Sequence, residues 1–146
     1  MNIVCIAGFA TITANPAASA ALYRDGLGFS FKEMGDYRYV DGFDGAKHFG
    51  LWPLAMAAQS CFGRDDWPAD VPVPQATIEY ELADVAAVEA AVLELKARGI
   101  EFVHETRTEP WGQTLARFLS PEGLLIGLSY APWLHRESEN TQGANE

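Results

Sequence analysis

The feature that most constrains the fold of this chain is an internal repeat. Residues 3–52 and residues 75–131 each read as one strand, one helix and three further strands, and equivalent points lie about 70 residues apart. Asn15 in the first half aligns with Asp84 in the second, and each is a favourable N-cap for a helix. The sequence therefore predicts an α+β fold of two βαβββ modules that form a single domain over residues 1–146.

Local signals place the elements within each module. Pro16 follows the cap Asn15 at the first helical position, where its missing N–H costs nothing, and Gly99 can end the second helix in a left-handed conformation. The apolar positions after Asp84 fall on one stripe, as expected for a helix that packs on a sheet. The predicted strands cover residues 3–14, 29–34, 37–40, 48–52, 76–82, 100–104, 113–119 and 124–130.

Residues 53–74 connect the modules and are rich in proline. A connection of this length inside a compact protein usually carries function or lacks order. Trp67 lies in its acidic middle, where a structural core role is unfavourable, so we expect Trp67 to act as a lid over a binding cleft. After the second module, residues 132–146 are predicted to be a flexible polar tail.

Composition excludes several classes of function. The chain has a net charge of −10, whereas binding to nucleic acid needs clustered Lys and Arg. No apolar stretch is long enough to span a membrane, and residues 1–20 lack the basic start of a signal peptide. Cys5 and Cys61 form neither a metal motif nor a disulfide framework. We therefore expect a cytoplasmic protein that binds neither nucleic acid nor membrane.

Two stretches resemble a known family. Residues 15–29, NPAASAALYRDGLGF, are similar to a first-helix motif with an acidic cap, a Phe-Tyr pair and a Leu-Gly-Phe ending, with Leu22 in place of the Phe. Residues 111–128, WGQTLARFLSPEGLLIGL, are similar to a closing motif that contains Asp-Pro-x-Gly, with Ser120 in place of the Asp. Together with the repeat, they make the chain resemble the vicinal-oxygen-chelate superfamily of glyoxalases, bleomycin-resistance proteins and extradiol dioxygenases.

This resemblance implies a cupped mixed sheet in which each module forms half of a cleft, with the helices on the convex side. In metal-dependent members, His or Glu side chains from the first and fourth strands of each module bind one divalent ion. Counting from the helix caps and from the Pro-x-Gly turn places these positions at Gly8, Gly50, Thr77 and Gly127. None offers an imidazole or a carboxylate. We therefore expect no metal and no cofactor, and three glycines that widen the cleft.

Strand alternation assigns polar side chains to the same cleft. His48 shares a face with Trp52, and Glu79 shares one with Thr77. A carboxylate in a cleft favours a cationic ligand through a charge-assisted hydrogen bond, which contributes about 1.5–3 kcal/mol. The alternative is that Glu79 and Glu81 face solvent at a sheet edge or a subunit interface.

Aromatic residues supply a candidate wall for the cleft, namely Trp52, Trp67, Trp111, Tyr37 and Tyr39. Planar ligands stack on such rings with about 1–3 kcal/mol per ring, although core packing also explains each ring separately. Trp133, after the last strand, is expected to pack against the end of the sheet. Arg38 and Arg117 lie on strands and are candidates to hold an anionic group or to form surface ion pairs.

The resemblance to the bleomycin-resistance branch predicts a metal-free, non-catalytic protein that sequesters an antibiotic-like aromatic or cationic small molecule. It also implies a homodimer whose clefts form between modules of two chains. The predicted ligand-binding residues are Trp67, Trp52, Trp111, Tyr39, His48, Glu79, Thr77 and Arg117.

Two other classes of function stay open on the sequence. One is an enzyme, either a metal-dependent lyase, isomerase or dioxygenase with non-standard ligands, or a metal-free isomerase in which His48 works with Glu33 as an acid–base pair. The other is an interaction domain whose own side chains close the cleft. An open aromatic cavity favours the binding protein, and a filled cleft beside a large apolar patch favours the interaction domain.

Overall fold

The computed structural model describes residues 1–42 and 44–135, which form two βαβββ modules. The first consists of β1 (Cys5–Thr13), α1 (Pro16–Ala20, continued as a π-helical turn over Ala21–Gly26), β2 (Lys32–Met34), β3 (Tyr37–Asp41) and β4 (His48–Pro53), and the connection adds α2 (Leu54–Phe62). The second consists of β5 (Ala76–Glu81), α3 (Val85–Ala97), β6 (Phe102–Thr108), β7 (Thr114–Leu119) and β8 (Leu125–Tyr130). The α+β fold predicted from the repeat is confirmed.

The strands form one open sheet in the order β2-β3-β4-β1-β5-β8-β7-β6. Within each module the first strand runs parallel to the fourth, as β1 does with β4 and β5 does with β8. The modules join where β1 pairs antiparallel with β5. Both halves of the concave face therefore belong to one chain, whereas the resemblance to the bleomycin-resistance branch places the cleft between two chains.

Side-chain caps begin two helices at the positions that the sequence predicts. Asn15 Oδ1 accepts a hydrogen bond from the backbone N–H of Ala18 (3.1 Å), and Asp84 Oδ1 accepts one from that of Ala87 (2.7 Å). Each bond satisfies one of the N–H groups that a helix N-terminus leaves unpaired. Gly99 adopts φ +90° just after α3, the left-handed conformation that ends a helix.

The convex face of the second module is covered by α3. Its buried side chains Val88, Ala91 and Val92 pack with Leu82 and Leu128 of the sheet region. These contacts remove apolar area from water at about 25 cal/mol per Å². Among the described residues, the helices are all too short or too polar to cross a membrane.

The connection between the modules contains a helix that the sequence prediction lacks. α2 is an Ala-rich segment of good helix formers, and its Ala57 and Cys61 pack against Trp52 and Leu125 of the sheet. The prolines of residues 53–74 lie before and after this helix, so they do not interrupt it. Because Trp52 and Leu125 are on the concave side, α2 closes one end of the cup.

The predicted tail begins with a short ordered segment. Residues 132–135 form a helical turn directly after β8. His135 Nε2 donates a hydrogen bond to the buried carboxylate of Glu81 (2.8 Å), and this bond ties the turn to β5. The rest of the predicted tail, residues 136–146, lies outside the described residues.

Candidate functional site

One row of laterally paired residues crosses the concave face. In order across the sheet, it contains Asp41, His48, Gly8, Glu79, Gly127, Arg117 and His104. Residues paired in register point their side chains to the same face of a sheet. The fold therefore brings acidic and basic side chains from both modules into one row. Two glycines, which have no side chain, lie between them.

A cavity of about 430 Å³ lies over this row. Its walls include Tyr37 and Tyr39, whose rings stack with centroids 5.6 Å apart, and Met56 of α2. Trp111 and Trp133 also line it and keep 40% and 43% of their surface exposed, so they stand at its mouth. This volume is typical of a site for a small organic molecule.

The three glycines of the row and its neighbourhood make room for side chains of adjacent strands. A methyl group on Gly8 would lie 3.4 Å from Cβ of His48, and one on Gly127 would lie 3.1 Å from Cγ of Glu79. At Gly50 a methyl group would overlap the ring and hydroxyl of Tyr37. Gly50 and Gly127 therefore widen the cleft less than expected, because Tyr37 and Glu79 occupy the space beside them, whereas Gly8 leaves room for a methyl group beside His48.

Tyr37, His48 and Asp41 form a chain of short hydrogen bonds in the cavity wall. The Tyr37 hydroxyl donates to His48 Nε2 (2.5 Å), and His48 Nδ1–H donates to the Asp41 carboxylate (2.6 Å). Burial, followed by the charges of Glu79 and Asp41, raises the pKa of Tyr37, so the phenol stays protonated and donates. These two hydrogen bonds hold the His48 ring in one tautomer, between the Tyr37 hydroxyl and the Asp41 carboxylate. The partner of His48 is Asp41, and Glu33 lies beside Arg38 instead.

Glu79 presents its carboxylate to the cavity from β5. Gln113 Nε2 donates to Glu79 Oε2 (2.7 Å) and to Ser129 Oγ (2.8 Å), while Gln113 Oε1 accepts a hydrogen bond from the Trp111 indole (2.8 Å). These bonds leave Gln113 one possible orientation. The carboxylate of Glu79 and the ring of Trp111 are therefore held by the same amide.

Glu81, on the same face, is enclosed and does not reach the cavity or solvent. It accepts hydrogen bonds from Ser129 Oγ (2.9 Å), the backbone N–H of Ala131 (2.6 Å) and His135. Burial raises the pKa of Glu81, and the three hydrogen bonds oppose that rise. Its role is to anchor the turn over residues 132–135, which carries Trp133.

Arg117 lies almost fully buried at the opposite side of the row. Its guanidinium carbon sits 5.1 Å from the centroid of the Trp52 ring, and its Nη1 donates to Glu109 Oε1 and to His104 Nε2, both at 3.0 Å. Burial, with nearby Arg117 and Arg107, lowers the pKa of His104 to about 4, so this ring accepts as a neutral imidazole. Its Nδ1–H donates to the carbonyl of Glu105.

The predicted ligand-binding residues fall into two groups. Those that line the cavity are Trp52, Trp111, Tyr39, His48, Glu79, Thr77 and Arg117. Trp67 lies outside it, packs edge-on against Phe62 (centroids 4.9 Å apart, planes at 87°) and donates its indole N–H to the carbonyls of Val71 and Pro72. This packing places Trp67 under the connection, where it supports α2.

Several cavity residues are absent from the sequence prediction. Asp41 faces His48 because the two residues pair in the β3–β4 hairpin. The Asp-Gly pairs at 41–42 and 44–45 are the sequence signal for this hairpin. Gln113 shares strand alternation with Arg117, which was a second usable signal. Trp133 was expected to pack against the end of the sheet, and the turn over residues 132–135 brings it to the cavity mouth instead.

The residues present do not fit the divalent ion that the family resemblance implies. Of the four equivalent positions only Thr77 has a polar side chain, and its hydroxyl donates to the carbonyl of Leu125 (2.9 Å). Throughout residues 1–42 and 44–135, His, Cys, Asp and Glu side chains nowhere gather in the group of three that would hold a metal. No metal-dependent step is therefore assigned to this cavity.

Comparison with known proteins identifies a family that matches most of the chain. The family described as "Glyoxalase/Bleomycin resistance protein/Dioxygenase superfamily" matches residues 6–128. No curated protein sequence matches significantly.

Solved structures share the fold at low sequence identity. A member of that superfamily from Vibrio splendidus 12B01 has a TM-score of 0.55 at 16% identity, over 89% of this chain and 100% of that one. A protein described as an NAD-dependent benzaldehyde dehydrogenase from Legionella pneumophila has 0.58 at 12%, over 84% and 96%. A variant Streptomyces coelicolor methylmalonyl-CoA epimerase in complex with 2-nitronate-propionyl-CoA has 0.54 at 18%, over 90% and 99%.

Proposed function

The chain belongs to the glyoxalase/bleomycin resistance protein/dioxygenase superfamily, and from that premise we propose that it binds and sequesters a planar aromatic or cationic small molecule without a metal. The observation that carries this proposal is the state of the four metal positions of the family. Side chains of neighbouring strands fill the space beside Gly50 and Gly127, His48 lies in ordinary contact distance beside Gly8, and the Thr77 hydroxyl donates to the carbonyl of Leu125. An aromatic-lined cavity of about 430 Å³ is lined by two of these positions, Gly8 and Thr77.

The cavity offers a planar ligand two kinds of contact. Trp111 and Trp133 stand partly exposed at its mouth, and stacking on such rings contributes about 1–3 kcal/mol per ring. Glu79 supplies a carboxylate that Gln113 already orients, so a cation or N–H donor meets a preorganised acceptor. Binding alone protects against a toxic compound, because capture lowers its free concentration by mass action. An antibiotic-like ligand fits this mode of action.

The proposal includes a homodimer. Ile3, Val4 and Ile6 expose 49–56% of their surface at the start of the first strand, and Phe9 exposes 38%. Such a run of apolar side chains supports an interface between two copies of the chain. Light scattering at micromolar concentration is expected to give the mass of a dimer, and the mass of a monomer would remove this part of the proposal. The unpaired Cys5 and Cys61 support a cytoplasmic location.

The binding function is tested with two probes that differ in one group. We expect 2-naphthylmethylammonium and neutral 2-naphthylmethanol both to bind in the presence of a chelator, the ammonium compound about tenfold more tightly because of Glu79. Glu79→Gln should bring the affinity for the ammonium probe down to that of the alcohol, whose own affinity should not change. Isothermal titration calorimetry measures both. If neither probe binds, the result contradicts the proposed function.

A second candidate function is favoured by the Asp41–His48–Tyr37 chain. Its two hydrogen bonds of 2.5 and 2.6 Å join an acid, an imidazole and a carboxylate at the cavity wall, the arrangement of a general acid–base catalyst. Such a group would move a proton on a carbon acid without a metal. Tyr37 would give its proton to His48 as its oxygen takes one from the carbon acid, the imidazolium would be held by Asp41, and the return of a proton to the opposite face of the carbon would reverse the transfer.

This candidate is tested by hydrogen exchange. Carbon acids with a carbonyl group beside the exchangeable C–H are incubated with the chelated protein in D₂O, and deuterium uptake is followed by NMR. Uptake that His48→Gln abolishes supports the enzyme, with Arg38→Lys, outside the cavity, as the control. A panel in which the unaltered protein exchanges nothing favours the binding protein.

A further inference from the structure

The cavity contains a buried cation whose hydrogen-bonding capacity is only partly used. Arg117 is 1% exposed and lines the cavity, with its guanidinium against the ring of Trp52. Its Nη1 donates to Glu109 and to His104. Its Nε is buried without an acceptor anywhere in residues 1–42 and 44–135. A buried donor in this state is unfavourable, because its lost hydrogen bond to water has not been replaced.

The charges around Arg117 leave it incompletely neutralised. Glu109 Oε1 accepts from Arg117 Nη1 (3.0 Å) and from Arg107 Nη2 (3.2 Å), so two guanidinium groups share one carboxylate. His104 adds no negative charge, because its lowered pKa, about 4, keeps it neutral near pH 7. The cluster of Arg107, Arg117, Glu109 and His104 therefore carries one net positive charge inside an acidic protein.

The opposite charge in the same row is kept apart from this cluster. Glu79 pairs with Gly127, which in turn pairs with Arg117, so strand β8 lies between the strands that carry the two charged residues. Neighbouring strands are about 4.8 Å apart, which puts the two Cα atoms about 10 Å from each other. The Glu79 Cγ occupies the space beside Gly127, 3.1 Å from where a methyl group would stand, and Gln113 holds the Glu79 carboxylate, so Glu79 and Arg117 form two separate polar groups of the cavity wall.

From these observations we infer that Arg117 is an anion subsite, and that the ligand of this cavity carries a carboxylate attached to an aromatic ring. The carboxylate accepts from Arg117 Nε and neutralises the positive cluster, while the ring extends toward Trp111 and Trp133 at the mouth. The inference rests on the proposed binding function and specifies its ligand. The net charge of −10 acts over long distances and is screened by salt, whereas this contact is local.

The test compares 2-naphthoate with 2-naphthamide, which have the same ring and differ in charge. Calorimetric titration at pH 7 in the presence of a chelator should show at least about tenfold tighter binding of the acid. Arg117→Lys keeps the charge but lacks Nε, and it should reduce this preference to less than about threefold. Arg38→Lys is the matched control, because Arg38 lies beside Glu33 outside the cavity, and it should leave the preference unchanged.

The outcomes separate the subsite from the binding function. Equal affinities for the acid and the amide in the unaltered protein overturn the anion subsite and leave the binding function intact. Failure of every naphthalene probe to bind overturns both. If Arg117→Lys does not fold, as circular dichroism would show, the preference of the unaltered protein for the acid still decides the question.

Discussion

Among single residues, the glycines of the concave face have the largest influence on the site. Gly8, Gly50 and Gly127 all have ordinary negative φ angles, so their lack of a side chain is not a backbone requirement. Gly50 admits the ring of Tyr37, and Gly127 admits Glu79. At Gly50 and Gly127, polar side chains reach in from adjacent strands.

Gly50→Ala should therefore be much more harmful than Gly8→Ala. At Gly50 the added methyl group overlaps Tyr37, with Cζ at 2.6 Å, whereas at Gly8 the nearest atom is at 3.4 Å. We expect Gly50→Ala to lower the free energy of unfolding by about 1–3 kcal/mol through overpacking, and Gly8→Ala to be nearly neutral. Urea denaturation measures both. Equal effects of the two substitutions would mean that Tyr37 does not occupy this space.

Strand alternation predicts which residues share the concave face but not their partners. His48, Trp52 and Glu79 line the cavity as period-two alternation indicates. The carboxylate that contacts His48 is Asp41 and not Glu33, because the β3–β4 pairing sets Asp41 opposite His48. Hairpin register depends on the conformation of the connecting loop, which sequence patterns do not fix.

Among the elements, those outside the repeat shape the cavity and were the hardest to predict. Each strand of one module has a counterpart in the other, so the repeat gives two observations of the same element. α2 and the turn over residues 132–135 have no counterpart, and the prolines around α2 masked its helical composition. Met56 of α2 and Trp133 of the turn nevertheless line the cavity.

Trp67 and Trp133 should show opposite effects when replaced by alanine. Trp67 packs on Phe62 beside α2, so Trp67→Ala should lower the free energy of unfolding by about 2–4 kcal/mol and leave the affinity for 2-naphthylmethylammonium within about twofold. Trp133→Ala should weaken that affinity by more than about 1 kcal/mol with little change in stability. Thermal unfolding and calorimetry of both variants test the contrast. A loss of affinity in Trp67→Ala with unchanged stability would restore Trp67 as a lid.

In the molecule as a whole, pairing of β1 with β5 joins the modules into one sheet, and the cavity lies over that junction. A single chain thus supplies an aromatic mouth, the Glu79 carboxylate and the Arg117 cluster. The family motifs and the repeat were sufficient to predict this architecture, since both depend on chain-wide patterns. They do not specify the ligand, because its contacts come from single side chains whose orientation depends on tertiary packing.

The central claim, that the cavity binds an aromatic ligand and no metal, is tested most directly by thermal unfolding of the chelator-treated protein. Mn²⁺, Fe²⁺, Ni²⁺, Zn²⁺ and 2-naphthylmethylammonium are added separately. A ligand that binds only the folded state stabilises it, by about 2.7 kcal/mol at a hundred times its Kd. We predict that the naphthalene compound raises the Tm by several degrees and that no ion does. A rise with one ion, reversed by chelator, would contradict the claim and identify a metal site.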